Sequence, residues 1–132
     1  MTIPANVSVG TIQANVTFTD DQIPVQQSAM YFPVNNDVIV TVQYPTIGSG
    51  TGCQSEFYYK ADRTTPDTDP STVSYAVPVT DDPQNPGATM SQFTIDAADN
   101  AESGAYWWRI DFLDAGSNRT SVGFGPLIVE AV

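Results

Sequence analysis

The chain has 132 residues, of which 15 are acidic and four are basic, so its net charge is -11. A surface of that sign repels phosphate backbones and anionic lipid, and we therefore expect neither a nucleic acid nor a membrane as a partner. The sequence contains no histidine and one thiol, Cys53, which excludes Ser/His/Asp triads, Cys/His dyads, histidine zinc sites and an intrachain disulfide. We expect no enzyme activity and no cofactor.

The first 13 residues are polar and irregular, and they are predicted to form an N-terminal arm or an edge strand. Residues 14–132 are long enough for one domain with one core. The beginning of the chain lacks the basic and apolar segments of a secretion signal, so we expect no export.

Apolar and polar residues alternate in short runs that are separated by turns rich in Gly, Pro and Asp. This pattern is typical of an all-β sandwich or barrel. Within one run, Pro78 cannot donate to a ladder and predicts an edge position or a strand end. We count about seven strands, in runs at 16–19, 37–44, 53–60, 72–79, 90–97, 104–114 and 125–132.

One apolar segment falls outside these runs. It contains Met30, Tyr31 and Phe32, followed by a proline. We interpret it as a loop or short strand that either covers the open end of a sandwich or reaches a neighbouring chain.

Two loops are rich in aspartate, and loop carboxylates are ligands that calcium uses. The spacing lacks the glycine and the terminal glutamate of an EF-hand, and Asp in Pro-rich loops more often caps turns. We therefore favour turn capping for Asp62, Asp67, Asp69, Asp81 and Asp82.

The segment "GAYWWRIDFLD" combines strand alternation with a dense aromatic run. Its alternation places the more apolar set inward (Tyr106, Trp108, Ile110 and Phe112) and the other set outward (Trp107, Arg109, Asp111 and Leu113). Outward aromatics suit three roles, namely additional core, a subunit contact or a platform for sugar rings. We expect a subunit contact to use Tyr58, Trp107 and Leu113, and a sugar platform to use Tyr58, Tyr59 and Trp107.

The stretch Glu102-Ser103-Gly104-Ala105-Tyr106 resembles the D-x-G-x-Y pattern that opens strand F of immunoglobulin-like sandwiches. In that resemblance the Tyr106 hydroxyl bonds back to upstream backbone and fixes a corner, to which Glu102 and Gly104 belong. Trp108 stands where antibody domains carry a disulfide cysteine, and it would fill that volume. The resemblance implies an immunoglobulin-like β-sandwich of about seven antiparallel strands.

A narrower resemblance covers residues 14–132. The order of an acid, Gly-x-Tyr-x-Trp, a turn with Gly and a closing "GPLIVEAV" is similar to the immunoglobulin-like domain of phage baseplate and tail-fibre proteins. The resemblance implies a non-enzymatic virion protein. Such domains usually precede a long fibre or receptor-binding region, whereas this sequence stops at Val132, so we expect a free-standing component that decorates or cements a capsid or forms a small tail or neck piece. Its partners would be capsid or tail proteins or further copies of itself, and the alternative is a host-adhesion module that binds host glycans.

Overall fold

The computed structural model describes residues 5–10, 15–20, 29–45, 47–48 and 51–131. These residues form ten strands and one short 3-10 helix, Ala97–Asn100. In chain order the strands are β1 (Ala5–Gly10), β2 (Asn15–Asp20), β3 (Met30–Pro33), β4 (Val38–Tyr44), β5 (Gln54–Lys60), β6 (Val73–Pro78), β7 (Thr80–Asp81), β8 (Thr89–Ile95), β9 (Gly104–Leu113) and β10 (Arg119–Glu130).

The strands form two five-stranded sheets that pack face to face. The first sheet has the order β2-β1-β4-β8-β7 and the second has the order β3-β10-β9-β5-β6. All neighbours are antiparallel except β3, which runs parallel to β10. The order of β1, β4, β8 and β7 in one sheet and of β5, β9 and β10 in the other is similar to that of strands A, B, E, D and C, F, G in immunoglobulin-like sandwiches, with β2, β3 and β6 as additional edge strands. The all-β sandwich is confirmed.

The core forms because each central strand presents one apolar face to the opposite sheet. In β4 the side chains of Val38, Val40, Val42 and Tyr44 are buried, as the alternation predicts. They pack in one cluster with side chains of the second sheet, including Phe57 and the fully buried Trp108. Packing of alternating residues from two inner faces is what holds such sandwiches together.

A chain of hydrogen bonds crosses the core between the two sheets. Ser55 donates to Ser91 (Oγ to Oγ, 2.7 Å), and Ser91 donates to the carbonyl oxygen of Pro78 at 3.1 Å. Because the single hydroxyl proton of Ser55 is used in this way, Tyr44 is the donor in its 2.7 Å contact with Ser55. Burial raises the pKa of Tyr44 above its ordinary value, which keeps this donor protonated.

Of residues 1–13, which were predicted to form an arm or an edge strand, the structure describes residues 5–10. Within the described residues, Ala5–Gly10 lies inside the first sheet, between β2 and β4, and Val7 is buried. β1 is not an edge strand because β2 pairs with its outer side and takes the edge position itself. The structure has three strands beyond the seven counted from the sequence: β1 and β3, for which a strand was one of two predicted alternatives, and the two-residue β7, which was not predicted.

The segment around Met30 is a strand and not a cover over an open end. The backbone of β3 pairs with that of β10 from Leu127 to Glu130, which turns Met30 and Phe32 into the core. Of the three interface candidates in this segment, only Tyr31 points outward, with 55% of its surface exposed. Met30 and Phe32 are therefore core residues and not interface candidates.

Candidate functional site

The outward side of the second sheet carries every basic residue of the chain. We call it the basic face and define it by the outward side chains of β5, β9 and β10 together with two residues of the loop after β5. Its members are Glu56, Tyr58, Lys60, Arg63, Asp67, Trp107, Arg109, Asp111, Arg119, Ser121 and Phe124. Four cations and three carboxylates give this face a net charge of +1, so the rest of the chain carries -12.

The strand register explains why these side chains meet. Tyr58 lies opposite Arg109, and Lys60 lies opposite Trp107, on the antiparallel pair β5 and β9. On the other side of β9, Arg109 lies opposite Phe124 in β10. Directly opposed residues on one side of an antiparallel pair have neighbouring side chains, so the face forms one continuous surface.

A fully buried carboxylate, Asp111, lies at the centre of this face. Its oxygens accept hydrogen bonds from Arg119 Nη1 at 2.7 Å, from Ser121 Oγ at 2.9 Å and from Arg109 Nε at 3.1 and 3.2 Å. Arg119 also donates to Glu56 at 2.5 Å. The alternation predicts an outward position for Asp111, and the two arginine side chains that cover it account for its burial.

A second group of ion pairs ties the loop after β5 to the sheet. Asp67 accepts from Lys60 Nζ at 2.9 Å and from Arg109 Nη2 at 2.8 Å. The hydrogen bond from Arg109, together with that from Lys60, lowers the pKa of Asp67 from 3.8 to about 2. Asp67 is therefore ionised at any physiological pH and anchors its loop beside the strands.

Guanidinium groups cover the aromatic rings of the basic face. Arg109 lies 4.7 Å from the centre of the Tyr58 ring, whose hydroxyl donates to Glu56. Arg63 lies 4.7 Å from the centre of the Phe124 ring and 5.4 Å from that of Trp107. These are cation–π distances, so the ring faces on which sugars would stack already have cationic partners.

A cavity of about 270 Å³ opens among these groups. Trp107, Phe124 and the core residue Trp108 form the aromatic part of its lining, and the other lining residues are polar or charged (Lys60, Arg63, Arg109 and Ser121). Arg109 and Lys60 both have carboxylate partners, as does Arg119 outside the cavity. Among the residues that the structure describes, no carboxylate lies within ion-pair distance of Arg63.

The predicted corner lies at the start of β9. Tyr106 Oη donates to the carbonyl oxygen of Glu102 at 3.1 Å, which is the bond that the corner interpretation predicts. Gly104 sits beneath the Tyr106 ring, where an added Cβ would lie 3.5 Å from a ring carbon. Trp108 points into the core, as expected for a residue that fills the position of a disulfide. This group supports the fold, and Glu102 and Tyr106 also line a cavity of about 520 Å³.

The aspartates outside the basic face mostly hold turns. Asp62 accepts from the backbone of Thr64 and Thr65, and Asp69 accepts from the backbone of Ser71. Asp82 accepts from the backbone of Gln84, while Asp81 lies exposed. Over the described ranges, no three His, Cys, Asp or Glu side chains gather in a way that could hold a metal ion.

The structure separates the predicted interface residues. Tyr58 and Trp107 lie on neighbouring strands of the basic face, whereas Tyr31 lies on the edge strand β3. Leu113 was predicted to be exposed and is not, because it lies between Gln54 and Arg119 of the flanking strands and is 7% exposed. Tyr59 belongs to the core, so it cannot join a sugar platform.

Sequence reasoning missed Arg63 and Phe124 as members of a site. The available signal was that the chain has only four basic residues and that two of them lie close together, Lys60 at the end of β5 and Arg63 three residues later. Arg109 also shares its strand face with Trp107 by simple alternation. The loop geometry that brings Arg63 over the rings had no sequence signal.

The described part of the chain includes no helix with the length and apolar character needed to cross a bilayer. No protein-family model matches the sequence, and comparison with curated proteins gives no match. Among solved structures, the fold is similar to that of the PmoD soluble domain from Methylocystis sp., with a TM-score of 0.51 and 12% sequence identity over 98% of each chain. At that identity the likeness supports the β-sandwich fold alone.

Proposed function

We propose that this protein is a non-enzymatic structural component of a bacteriophage virion and that it attaches to capsid or tail proteins through the basic face. The observation that carries the proposal is that the sequence motifs behind the phage resemblance lie on the strands where that resemblance puts them. The stretch from Glu102 to Tyr106 opens strand F with its corner bond made, and the closing Gly125, Leu127 and Val129 lie on strand G. This is the order in which the similar phage domains use these motifs.

The basic face supports attachment because it is rigid and chemically distinct from the rest of the molecule. Its side chains are held by ion pairs and cation–π contacts, so little rotamer freedom remains to be lost on binding. A contact of about 800 Å² per partner suffices for stable association, and repeated copies on a symmetric particle add avidity. Aromatic and arginine side chains are also the residues that most often anchor protein interfaces.

A protein partner has better support than the glycan alternative. Sugar binding would use the open faces of Tyr58 and Trp107, and those faces are in contact with Arg109 and Arg63. Ring stacking by a sugar would have to displace these guanidinium groups. An acidic or polar protein surface can instead bind to the guanidinium groups in place.

The test is immunogold electron microscopy of phage particles purified from a culture that produces this chain. We expect gold on the particles, and its position on heads or tails identifies the attachment site. Antibody preabsorbed with the purified protein serves as the control. Particles without gold, with the protein found only free in the lysate, would contradict the virion assignment.

A further inference from the structure

We propose that the cavity beside Arg63 is a binding site for a single carboxylate side chain from an acidic segment of a partner protein. Arg63 would form the ion pair, and the parts of Trp107 and Phe124 that line the cavity and are not covered by Arg63 would contact the apolar stem of the bound residue. The inference rests on the proposed function only for the identity of that partner as a virion protein. The chemistry of the site follows from the described side chains.

Arg63 is prepared for such a pair. Its guanidinium lies over the rings of Phe124 and Trp107, at 4.7 and 5.4 Å from their centres. The N–H groups of Arg63 have no hydrogen-bond partner among the described residues, and the planar fork of a guanidinium fits the two oxygens of a carboxylate. The rings also hold the side chain in place before a ligand arrives, which lowers the entropic cost of binding.

The charge of the surroundings selects one negative group. Lys60, Arg109 and Arg119 form ion pairs with Asp67, Asp111 and Glu56, so three cations are balanced by three carboxylates. The excess charge of the face is +1 and coincides with Arg63. A nucleic acid brings a continuous row of phosphates and would meet the remaining charge of -12, so a single carboxylate is the better match.

The size and lining of the cavity favour a side chain on an extended segment. Its volume of about 270 Å³ accommodates one glutamate with part of its neighbours, and its wall combines aromatic residues with polar groups. A second copy of this chain also offers carboxylates, but it carries a net charge of -11 and is repelled as a whole, whereas a partner with one acidic segment on a less negative surface is not. We therefore assign the site to a different protein.

The first experiment titrates the ¹⁵N-labelled protein with two short synthetic peptides and follows backbone and side-chain NMR signals. The probe is acetyl-Gly-Phe-Glu-Phe-Gly-amide, and the matched peptide carries glutamine in place of glutamate. We expect saturable shifts at the Trp107 indole, the Arg63 Nε–H and the Phe124 amide with the glutamate peptide. Loss of the charged partner should weaken binding at least about tenfold for the glutamine peptide.

Variants then locate the binding energy. Arg63 is exposed and outside the ion-pair network, so Arg63→Gln should fold normally and abolish the shifts at Trp107. Arg63→Lys keeps the charge without the planar fork and should bind at intermediate strength. Ile39→Thr, on the exposed side of the first sheet, is the control and should bind as the unmodified protein does.

Three results would overturn the proposal. The first is the absence of saturable shifts with the glutamate peptide, and the second is equal binding of the glutamine peptide. The third is the appearance of the same shifts when unlabelled protein is added, which would identify a second copy as the occupant. Glutamate-dependent shifts combined with gold-free virions would retain the site and reject only the virion assignment.

Discussion

Asp111 provides the sharpest test of how the basic face is held together. Its carboxylate is fully buried and accepts hydrogen bonds from two arginines and Ser121. Asp111→Asn keeps the shape and removes the charge, so it leaves Arg109 and Arg119 without their shared partner. Removing one member of a buried ion pair costs about 3–5 kcal/mol. Because the two arginine side chains are 26% and 45% exposed and can be hydrated, we expect a loss of about 3 kcal/mol in the free energy of unfolding.

The assay is urea unfolding followed by tryptophan fluorescence, with the slope of the transition expected to stay constant. The matched control is Asp67→Asn, which removes the same charge from a side chain that is 39% exposed. Exposed ion pairs contribute about 0–1 kcal/mol, so the control should lose far less. Equal losses in the two variants would refute the argument, since burial of Asp111 would then have no energetic consequence.

The remaining predictions concern the corner, the core and the loop. Tyr106→Phe should lower the free energy of unfolding by about 1 kcal/mol through loss of the bond to Glu102, and an unchanged urea midpoint would contradict a corner role. Ser55→Ala should lower the free energy of unfolding by about 1–3 kcal/mol because it leaves the buried Tyr44 hydroxyl without an acceptor. Tyr44→Phe should cost less because Ser55 still donates to Ser91. The reverse order of the two urea midpoints would exclude the assigned donor direction. The pKa of Asp67 is lowered in the folded protein, so the stability that its charge contributes should be present above pH 3.8 and fade as the pH falls towards 2. A pH-independent difference in urea unfolding between Asp67→Asn and the unmodified protein would show that the ion pairs contribute nothing.

Local sequence patterns were sufficient where a strand is governed by its own alternation. The inward faces of β4 and β5 follow directly from period-two spacing, because each strand packs one face on the core. Pro78 ends β6 at the sheet edge, as its missing N–H requires. The corner at Tyr106 followed from its motif.

Prediction failed where a position depends on distant parts of the chain. The strand β3 is four residues long and gains its place by pairing with β10, almost a hundred positions later. The burial of Asp111 depends on Arg119, and the position of Arg63 depends on a loop whose geometry is anchored by Asp67. Such long-range pairings leave no signal in a short window of sequence.

The parallel pairing of β3 with β10 has a mechanical consequence. A force that pulls the N-terminal end of β3 away from the C-terminal end of β10 acts along both strands, so the hydrogen bonds between Met30–Pro33 and residues 127–130 are loaded together in shear. Antiparallel strands joined by a hairpin would instead be peeled apart one bond at a time. The pairing of β3 with β10 therefore makes the sandwich resist extension between the N-terminal end of β3 and the C-terminal end of β10.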